Sequence, residues 1–444
     1  MPIMGGAKGR MDDMAKTLTR ETFQTSREVE YFTEKELRAQ IGHGPEYWPV
    51  AIVRELIDNS LDACETARIL PEISITAADD RITVADNGPG IPPEVLSKSM
   101  NYLLRVSDKA YYISPTRGQM GNALKTVWAA PFVTSGTSVV EVETHGEKHI
   151  IEVRLDRIAG KPEITHERML FVKNSSSVTI AWPNSSTLLL DEPSDSYNRR
   201  SIPSLQDLID GFICFNPHAT FVLNGRKFER TNPGWQKWRP DMPTSAQWYN
   251  VETLRDLMAG YIAAERNGGR TKTVREFVSE FRGLSGTAKQ KEVASEWSGA
   301  YLHDFVKDGD LDREFLKDLL DRMQAACTPP KPSVLGTIGE EHLTAWMTAR
   351  GVSEASIKYI KKKNTDQLPY IMEVAFGINE NDEAGRQMVI GLNWSPVIGG
   401  DPDPALRQAV QEARLDPHDP VTLVVHIVRP RFEFMDRGKT RLSL

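Results

Sequence analysis

A carboxylate and a carboxamide one helical turn apart are the first side chains of this sequence whose types and spacing suggest chemistry. At 100° per residue, Glu55, Asn59 and Asp62 fall on one face of a helix. The opposite face carries an apolar stripe at Val53, Ile57 and Leu61. A carboxylate can orient or deprotonate a water, and a neutral amide oxygen can coordinate Mg²⁺ at a phosphate site. Taken alone, the pattern fits a solvated polar face on a core helix equally well.

A second segment, Asp86-Asn87-Gly88-Pro89-Gly90, directly follows the β-rich run RITVA. A carboxylate at the end of a strand is a good acceptor for an exocyclic amine. Glycines beside it let the backbone close against a flat base without a Cβ clash. By itself the run indicates a turn before it indicates a base pocket.

A third segment, RGQMGNALK at residues 117–125, leads into the apolar helical pattern TVWAA. Glycines ahead of a helix start expose backbone N–H groups, which favour an anion together with the helix dipole. A GxxG pair alone is a weak signal. The segment is also not a Walker A loop, because no GxxxxGK[ST] occurs in the chain.

The hydrophobic pattern predicts the elements that must position these residues. Apolar spacing of 3.6 residues predicts a helix within GPEYWPVAIVRELIDNSLDACETA, and EISITA and RITVAD predict short strands joined by a turn at Asp79-Asp80. TSVVEVETHGEKHIIEVRLD predicts a hairpin around His145-Gly146, and SSSVTIAW predicts a further strand. Helices and strands that segregate in this way favour an α+β fold over a doubly wound βαβ series.

Downstream, the pattern predicts a small all-helical module followed by a second mixed unit. The helical patterns are VETLRDLMAGYIAAE, TVREFVSEF, TAKQKEVASEW and DREFLKDLLDRMQAA. The last part predicts a strand in PYIMEVAFGIN, a strand in RQMVIGLNW, a helix in PALRQAVQEARL and a strand in VTLVVHIVRPRFEF. These last elements predict a strand–helix–strand crossover.

Composition narrows the class of protein and its compartment. Lys and Arg number 54 against 61 Asp and Glu, a net charge of −7, which excludes a polycationic nucleic-acid coat but not a local basic stripe. No apolar run approaches the ~18–20 residues of a membrane span, and the first residues lack the apolar core of a signal peptide. Three widely spaced cysteines favour neither a disulfide framework nor a zinc site. We therefore expect a cytoplasmic protein without membrane contacts.

The order and spacing of the three segments resemble the N box and the two glycine boxes of the GHKL ATPase superfamily. The flanking sequences REVEYFTEKELRAQIG, ELIDNSLDACETARILPEI and SPTRGQMGNALK resemble, more narrowly, the B subunit of topoisomerase VI, a type IIB DNA topoisomerase. Residues 251–327 resemble the helix–two-turn–helix insert of that family. VTLVVHIVRPRFEFMDRGK resembles part of its transducer domain. One departure is Ala123, where the family usually has another glycine.

The resemblance implies a role for each motif residue. It makes Glu55 the general base for the attacking water, Asn59 the Mg²⁺ ligand and Asp86 the acceptor of the adenine amino group, with Gly88 and Gly90 shaping the base pocket. The further ATP contacts that it implies are Asp62, Ile91, Ser107, Lys109, Gly118, Gln119, Met120, Gly121 and Asn122.

Lys439 resembles the transducer lysine that reaches the γ-phosphate and acts in catalysis. Arg429, Arg431 and Arg437 are nearby basic alternatives for that role.

The predicted architecture is α+β, with a GHKL (Bergerat) ATPase domain, a helical insert and a transducer domain that contains a βαβ crossover. The expected boundaries are a flexible arm at 1–25, the ATPase domain at 26–227, a linker at 228–250, the helical domain at 251–335 and the transducer at 336–444. Basic clusters at 361–363 and at Arg270 and Lys272 fit either DNA contacts or solvated faces.

The function that the resemblance implies is ATP binding and hydrolysis within a topoisomerase VI-like enzyme. ATP would close a homodimer gate that controls passage of a DNA duplex, together with a separate DNA-cleaving A subunit of the Toprim type. The alternative is a stand-alone ATP-gated DNA clamp in repair, silencing or phage defence. The sequence ends soon after Lys439, where the family continues through a long helix, and this favours the alternative.

Overall fold

The computed structural model describes residues 20, 22, 26–104, 107, 109–117, 123–189, 204–365, 368–399 and 404–434. Its α-helices are α1 (Glu34–Ile41), α2 (Trp48–Thr66), α3 (Pro93–Ser99), α4 (Ala123–Ser135), α5 (Leu205–Phe215), α6 (Val251–Arg266), α7 (Val274–Ser279), α8 (Thr287–Val293), α9 (Arg313–Ala326), α10 (Glu340–Thr348) and α11 (Pro404–Glu412). Its strands are β1 (Glu72–Ala78), β2 (Arg81–Asp86), β3 (Ser138–Thr144), β4 (Glu147–Asp156), β5 (Lys161–Leu170), β6 (Ser177–Ala181), β7 (Thr220–Leu223), β8 (Arg226–Phe228), β9 (Val306–Lys307), β10 (Asp310–Leu311), β11 (Lys358–Asn364), β12 (Tyr370–Ile378), β13 (Gln387–Leu392), β14 (Ser395–Pro396) and β15 (Val421–Val428).

The first sheet contains eight strands in the order β5-β4-β3-β6-β2-β1-β7-β8. All neighbours are antiparallel except β1 and β7, which pair in parallel from Glu72↔Thr220 to Ile75↔Leu223. The predicted hairpin is confirmed, because His145 and Gly146 join β3 to β4 with φ of 48° and 75°. Positive φ at both turn residues matches the twist of the flanking strands. The predicted β1–β2 turn is confirmed by the Ala78↔Arg81 pair.

Helices α2, α4 and α5 pack against this sheet. The predicted stripe of α2 is confirmed, since Val53, Ile57 and Leu61 are fully buried. Pro49 lies in the first turn, where the missing N–H costs no hydrogen bond. Burial also extends around most of the helix, so α2 is a core element rather than an amphipathic surface helix. It therefore holds its few accessible side chains in fixed positions.

Helices α6 to α9 form the helical module (residues 251–326), as the hydrophobic spacing predicts. Each helix begins close to its predicted first residue, and α6 and α7 begin at capping boxes on Asn250 and Thr273. The prediction of an all-helical module is wrong in one detail. A short hairpin, in which β9 and β10 each have two residues, lies between α8 and α9.

The second sheet has the order β11-β12-β15-β13-β14. The predicted strand–helix–strand unit is present, because β13 pairs in parallel with β15 and α11 lies between them in the chain. The α+β prediction is thus confirmed in both sheets. No helix in the described ranges is long and apolar enough to cross a bilayer.

Two hydrophobic cores hold these layers together. One lies between the first sheet and helices α2, α4 and α5, and the other runs from the helical module into the second sheet. The segment predicted as a linker, 228–250, is packed into the second core through the fully buried Trp238 and Tyr249. The domain boundaries themselves stay predictions.

Candidate nucleotide site

The junction of α2 with the end of β2 brings the first two motifs together. Asp86 is the last residue of β2, and its Oδ2 accepts a hydrogen bond of 2.9 Å from the Ser60 hydroxyl on α2. Its Oδ1 accepts one of 2.8 Å from the Gly88 amide. Ser60, which contacts the predicted adenine acceptor Asp86, directly follows Asn59, the predicted metal ligand. The two residues are therefore adjacent on one rigid helix.

The glycines of the DNGPG run meet close neighbours. A Cβ on Gly88 would lie 3.0 Å from Cys64 Sγ, and Gly90 adopts φ +92° with the Asn174 carbonyl oxygen 2.6 Å from its hypothetical Cβ. Only glycine takes this conformation readily. Ile91 then anchors the segment by donating its amide to Thr144 Oγ1 at 2.8 Å. The structure therefore shows a tight turn beside Asp86. This turn is consistent both with a purely structural role and with a base pocket.

Glu55 and Asn59 lie one turn apart on α2, where the helix is least covered. Asn59 is exposed, and the Glu55 side chain is 21% exposed. The Glu55 carboxylate accepts a 2.9 Å hydrogen bond from the neighbouring Arg54 guanidinium. This pairing gives the carboxylate a defined orientation toward the accessible side of α2.

Asp62 shares that helical face by position but not by exposure. Its side chain is 3% exposed, and it pairs with Lys109 Nζ at 2.6 Å and Arg117 Nη1 at 2.7 Å. Lys109 donates its backbone amide to Ser107 Oγ at 3.2 Å. The structure thus brings Ser107, Lys109 and Asp62 together, and it leaves Asp62 buried where Asn59 is exposed.

A buried charge cluster continues from Asp62 beneath α2. It consists of Asp62, Glu65, Arg117, Lys237 and His218. Glu65 is its centre, with contacts to Arg117 at 2.9 Å, Lys237 at 2.5 Å and His218 at 3.0 Å. The Arg117 side chain is fully buried and also donates to Asn216 Oδ1. Buried charges are tolerated only when they are paired in this way.

The pKa shifts in the cluster follow from burial and from these pairs. Burial alone would raise the pKa of Glu65, but the Arg117 and Lys237 charges outweigh it and hold the pKa well below its ordinary value. Burial and the Arg117 charge lower the pKa of Lys237 to about 8. For Arg117, burial lowers the pKa, but the carboxylates of Glu65 and Asp62 outweigh it and raise the pKa. The cluster therefore keeps its carboxylates ionised at neutral pH.

A second set of contacts joins α2 to the second sheet. Ser395 of β14 donates its hydroxyl to Asp58 Oδ2 at 2.7 Å, and Asn393 donates its side-chain amide to the Thr116 carbonyl at 3.4 Å. Trp394 occupies the turn between Asn393 and Ser395 with φ +67°, a strained conformation for a bulky side chain.

Burial and the nearby Glu55 charge raise the pKa of Asp58 to about 7. A cleft lined in part by Glu55 is also lined by Leu392, Phe432 and Phe434.

The remaining predicted ligands lie outside the described residues. These are Gly118, Gln119, Met120, Gly121, Asn122 and Lys439. The described part of the third motif ends at Arg117 and resumes with α4, which begins at Ala123.

Sequence reasoning missed the residues that support the site. Ser60 and Glu65 lie within the predicted motif helix, where a helical wheel places Ser60 beside the apolar stripe and Glu65 between the stripe and the polar face. Lys237 and Ser395 had no local signal, because their partners on α2 are distant in sequence by more than 170 and 330 residues.

Comparisons with known proteins find one matching family profile and several relatives of similar sequence. A profile described as histidine kinase-, DNA gyrase B- and HSP90-like ATPase matches residues 45–157. The B subunit of topoisomerase VI from Natronomonas pharaonis is 28% identical over 253 residues, which cover 52% of this chain and 30% of that protein. The Archaeoglobus fulgidus counterpart is 24% identical over 437 residues, which cover 89% of this chain and 66% of that protein.

A solved structure, the ATPase region of Saccharomyces cerevisiae topoisomerase II, aligns over 88% of this chain and 77% of its own at 12% identity and a TM-score of 0.39. That likeness is too low to support any further argument. This chain spans 30% and 66% of the lengths of the two archaeal relatives. Residues 45–157, which carry Glu55, Asn59 and Asp86, therefore form a histidine kinase-, DNA gyrase B- and HSP90-like ATPase domain, in a chain whose sequence is similar to the B subunit of topoisomerase VI.

Proposed function

We propose that this chain is the ATP-binding and ATP-hydrolysing subunit of a topoisomerase VI-like DNA topoisomerase. The observation that carries the proposal is the α2–β2 junction. One buried helix presents Glu55 and Asn59 at its accessible side, and its Ser60 hydroxyl contacts Asp86. The matched ATPase profile covers all of these residues.

The donor set fits ATP together with Mg²⁺. Asp86 offers carboxylate oxygens to the adenine amino group, beside a turn that glycines keep narrow. Asn59 offers an exposed, neutral amide oxygen as a metal ligand, which adds no charge to a site that must hold phosphates. When bound, Mg²⁺ neutralises phosphate charge. Glu55 is one turn from Asn59, so its carboxylate is placed to orient a water and to accept its proton.

The wider proposal is a gate that closes when two copies bind ATP and that controls passage of a DNA duplex. A separate cleaving subunit of the topoisomerase A type would cut the DNA. ATP shifts an open–closed equilibrium only as far as it prefers the closed form. The contacts of Ser395 and Asn393 with α2 and the neighbouring backbone support the proposal, since they give the second sheet a direct connection to the nucleotide site. Lys439 is the proposed γ-phosphate contact from that part of the chain.

Nucleotide binding and turnover by purified protein test the core of the proposal. We expect ATP and a non-hydrolysable analogue to bind in the presence of Mg²⁺. Glu55→Ala should keep binding and lose about 10²–10⁴ in turnover, because general-base catalysis contributes that much. The matched control is Glu292→Ala, which removes an exposed glutamate from α8. A parent protein that binds no nucleotide overturns the proposal.

Strand passage tests the wider proposal. Relaxation of supercoiled DNA that requires this chain, ATP and a cleaving subunit supports the topoisomerase assignment. ATP-dependent DNA retention without passage, when that cleaving partner is present, supports the stand-alone clamp instead.

A further inference from the structure

A short segment of chain, residues 109–117, lies between the helical module and the candidate nucleotide site. This segment begins at Lys109 and ends at Arg117, and both side chains pair with Asp62 beneath α2. Every residue from 111 to 114 has a partner in the helical module or in the segment that leads to it. These partners are Gly260, Tyr261, Tyr249 and Trp238.

Two neighbouring residues of α6 form the contact with the module itself. The Tyr112 and Tyr261 hydroxyls are hydrogen bonded, and Tyr261 donates to Glu280 Oε2 at 2.5 Å. Gly260 lies against the ring of Tyr111, where a Cβ would come within 2.8 Å of Cδ2. The absence of a side chain at residue 260 therefore permits the close approach of α6 to the segment.

Two further hydrogen bonds hold the segment, one through its backbone and one through a side chain. The Ile113 amide donates to the hydroxyl of the buried Tyr249 at 2.9 Å, and Trp238 Nε1 donates to Ser114 Oγ at 3.1 Å. The Tyr112 amide also donates to the Lys109 carbonyl at 3.3 Å. A displacement of Tyr112 is thus passed to Lys109 through a single turn of backbone.

We propose that Tyr261 is a positioning residue for the nucleotide site, through which the helical module holds the 109–117 segment and its Lys109 in place. The inference rests on the proposed function and extends it, because it gives the helical module a role in ATP binding. Without this anchor the segment has more conformations to lose when nucleotide binds, and ordering them costs free energy. Loss of the Tyr261 hydroxyl therefore weakens ATP binding and leaves the catalytic group in place.

Tyr261→Phe is the first test, since it removes the hydroxyl and keeps the ring that packs edge-on against Phe277. We expect the KM for ATP to rise about 2- to 10-fold with kcat nearly unchanged, which is the range for one net hydrogen bond. Gly260→Ala should act in the same direction by displacing Tyr111. The matched control is Tyr359→Phe, which also removes a tyrosine hydroxyl bonded to a glutamate, Glu373, but in the second sheet.

Hydrogen exchange without nucleotide provides an independent readout. Amides of residues 109–117 should exchange faster in Tyr261→Phe than in the parent or in Tyr359→Phe, while those of α2 keep their protection. Unchanged exchange in the segment, or a KM shift equal to that of Tyr359→Phe, overturns the inference. Failure of the parent to bind ATP instead overturns the proposed function and, with it, the nucleotide role given to Tyr261.

Discussion

At the scale of single residues, Asp86 is the side chain that we propose recognises the base. Its two carboxylate oxygens already accept from Ser60 and Gly88, so the side chain is held in one orientation. Asp86→Asn exchanges one acceptor oxygen for an NH₂ donor, which opposes the donor amine of adenine. We expect ATP affinity to fall about ten- to a hundredfold, since hydrogen bonds to charged groups contribute about 1.5–3 kcal/mol. Titration calorimetry measures it, with the exposed Asp80→Asn as control. Equal affinities of parent and Asp86→Asn would contradict the assignment.

Arg117 carries a structural role that is separable from chemistry. Its side chain is fully buried, forms ion pairs with Asp62 and Glu65, and donates a hydrogen bond to Asn216. Arg117→Met leaves Glu65 buried without its main partner and Asp62 without one of its two, a change that typically costs about 3–5 kcal/mol. We expect a large fall in the urea midpoint at neutral pH. Arg154→Met removes an arginine that is 70% exposed and should leave the midpoint unchanged. Similar midpoints for both variants would show that the cluster contributes little to stability.

The residues proposed to carry the chemistry could be picked out from the sequence because their signals are local. Glu55, Asn59 and Asp86 each occur in a short motif whose spacing fixes a helix face or a strand end. Asp62 shows the limit of that reasoning. Helical geometry gives the face of α2 on which Asp62 lies. The burial of Asp62 depends on its ion pairs with Lys109 and Arg117, which are more than 40 residues later in the sequence. Lys237 and Ser395 depend on tertiary contacts alone.

At the scale of elements, Glu373 connects β12 to the start of α10. The Ile338 and Gly339 amides donate to its carboxylate at 2.8 and 2.9 Å, and His426 of β15 contacts it at 3.1 Å. Burial alone would raise the pKa of Glu373. The His426 contact and the Ile338 amide outweigh burial and lower the pKa to about 2, against an ordinary value of 4.5. The group therefore stabilises the fold above pH 4.5, and this contribution is lost as the pH falls from 4.5 toward 2.

We accordingly expect Glu373→Gln to lose on the order of 3 kcal/mol of stability at pH 7, because each pKa unit corresponds to about 1.4 kcal/mol. The difference from the parent should shrink as the pH approaches 3. Urea unfolding at a series of pH values measures it. Glu354→Gln changes an exposed glutamate near the same sheet and should track the parent at every pH. A parent–variant difference independent of pH would rule out the proposed linkage.

Two of the strands that sequence patterns missed are edge strands. β5 and β11 lie at the ends of the two sheets, and most of their residues are exposed or half-exposed. Neither shows an alternation of apolar and polar residues, because neither has a face that is fully buried. The lysines at 361–363, which suggested a DNA-binding stripe or a solvated face, lie exposed on β11. Lysines are a common means of protecting a sheet edge from unwanted pairing.

At the scale of the whole molecule, contacts join three parts of the chain: helix α2, the segment that leads to the helical module, and the second sheet. Lys237 joins the segment before the helical module to Glu65 of α2 and lies 4.2 Å from the centroid of a Trp394 ring in the second sheet. Such a connected arrangement resists partial adjustment, because a shift of one part leaves buried charges without partners. We therefore expect a nucleotide that shifts α2 or the 109–117 segment to affect all three parts together.

From this connection we expect nucleotide to change the assembly state. A non-hydrolysable ATP analogue with Mg²⁺ should shift the protein from 49.8 kDa to twice that mass, because it binds the closed form preferentially. Mass photometry or analytical ultracentrifugation measures the shift. Glu55→Ala should reach the dimer with ATP itself and stay there, since hydrolysis no longer reverses closure, whereas Glu292→Ala should return to the monomer as ATP is consumed. A mass that ignores nucleotide, in protein shown to bind ATP, would refute the gate and leave an ATPase domain whose output acts within one chain.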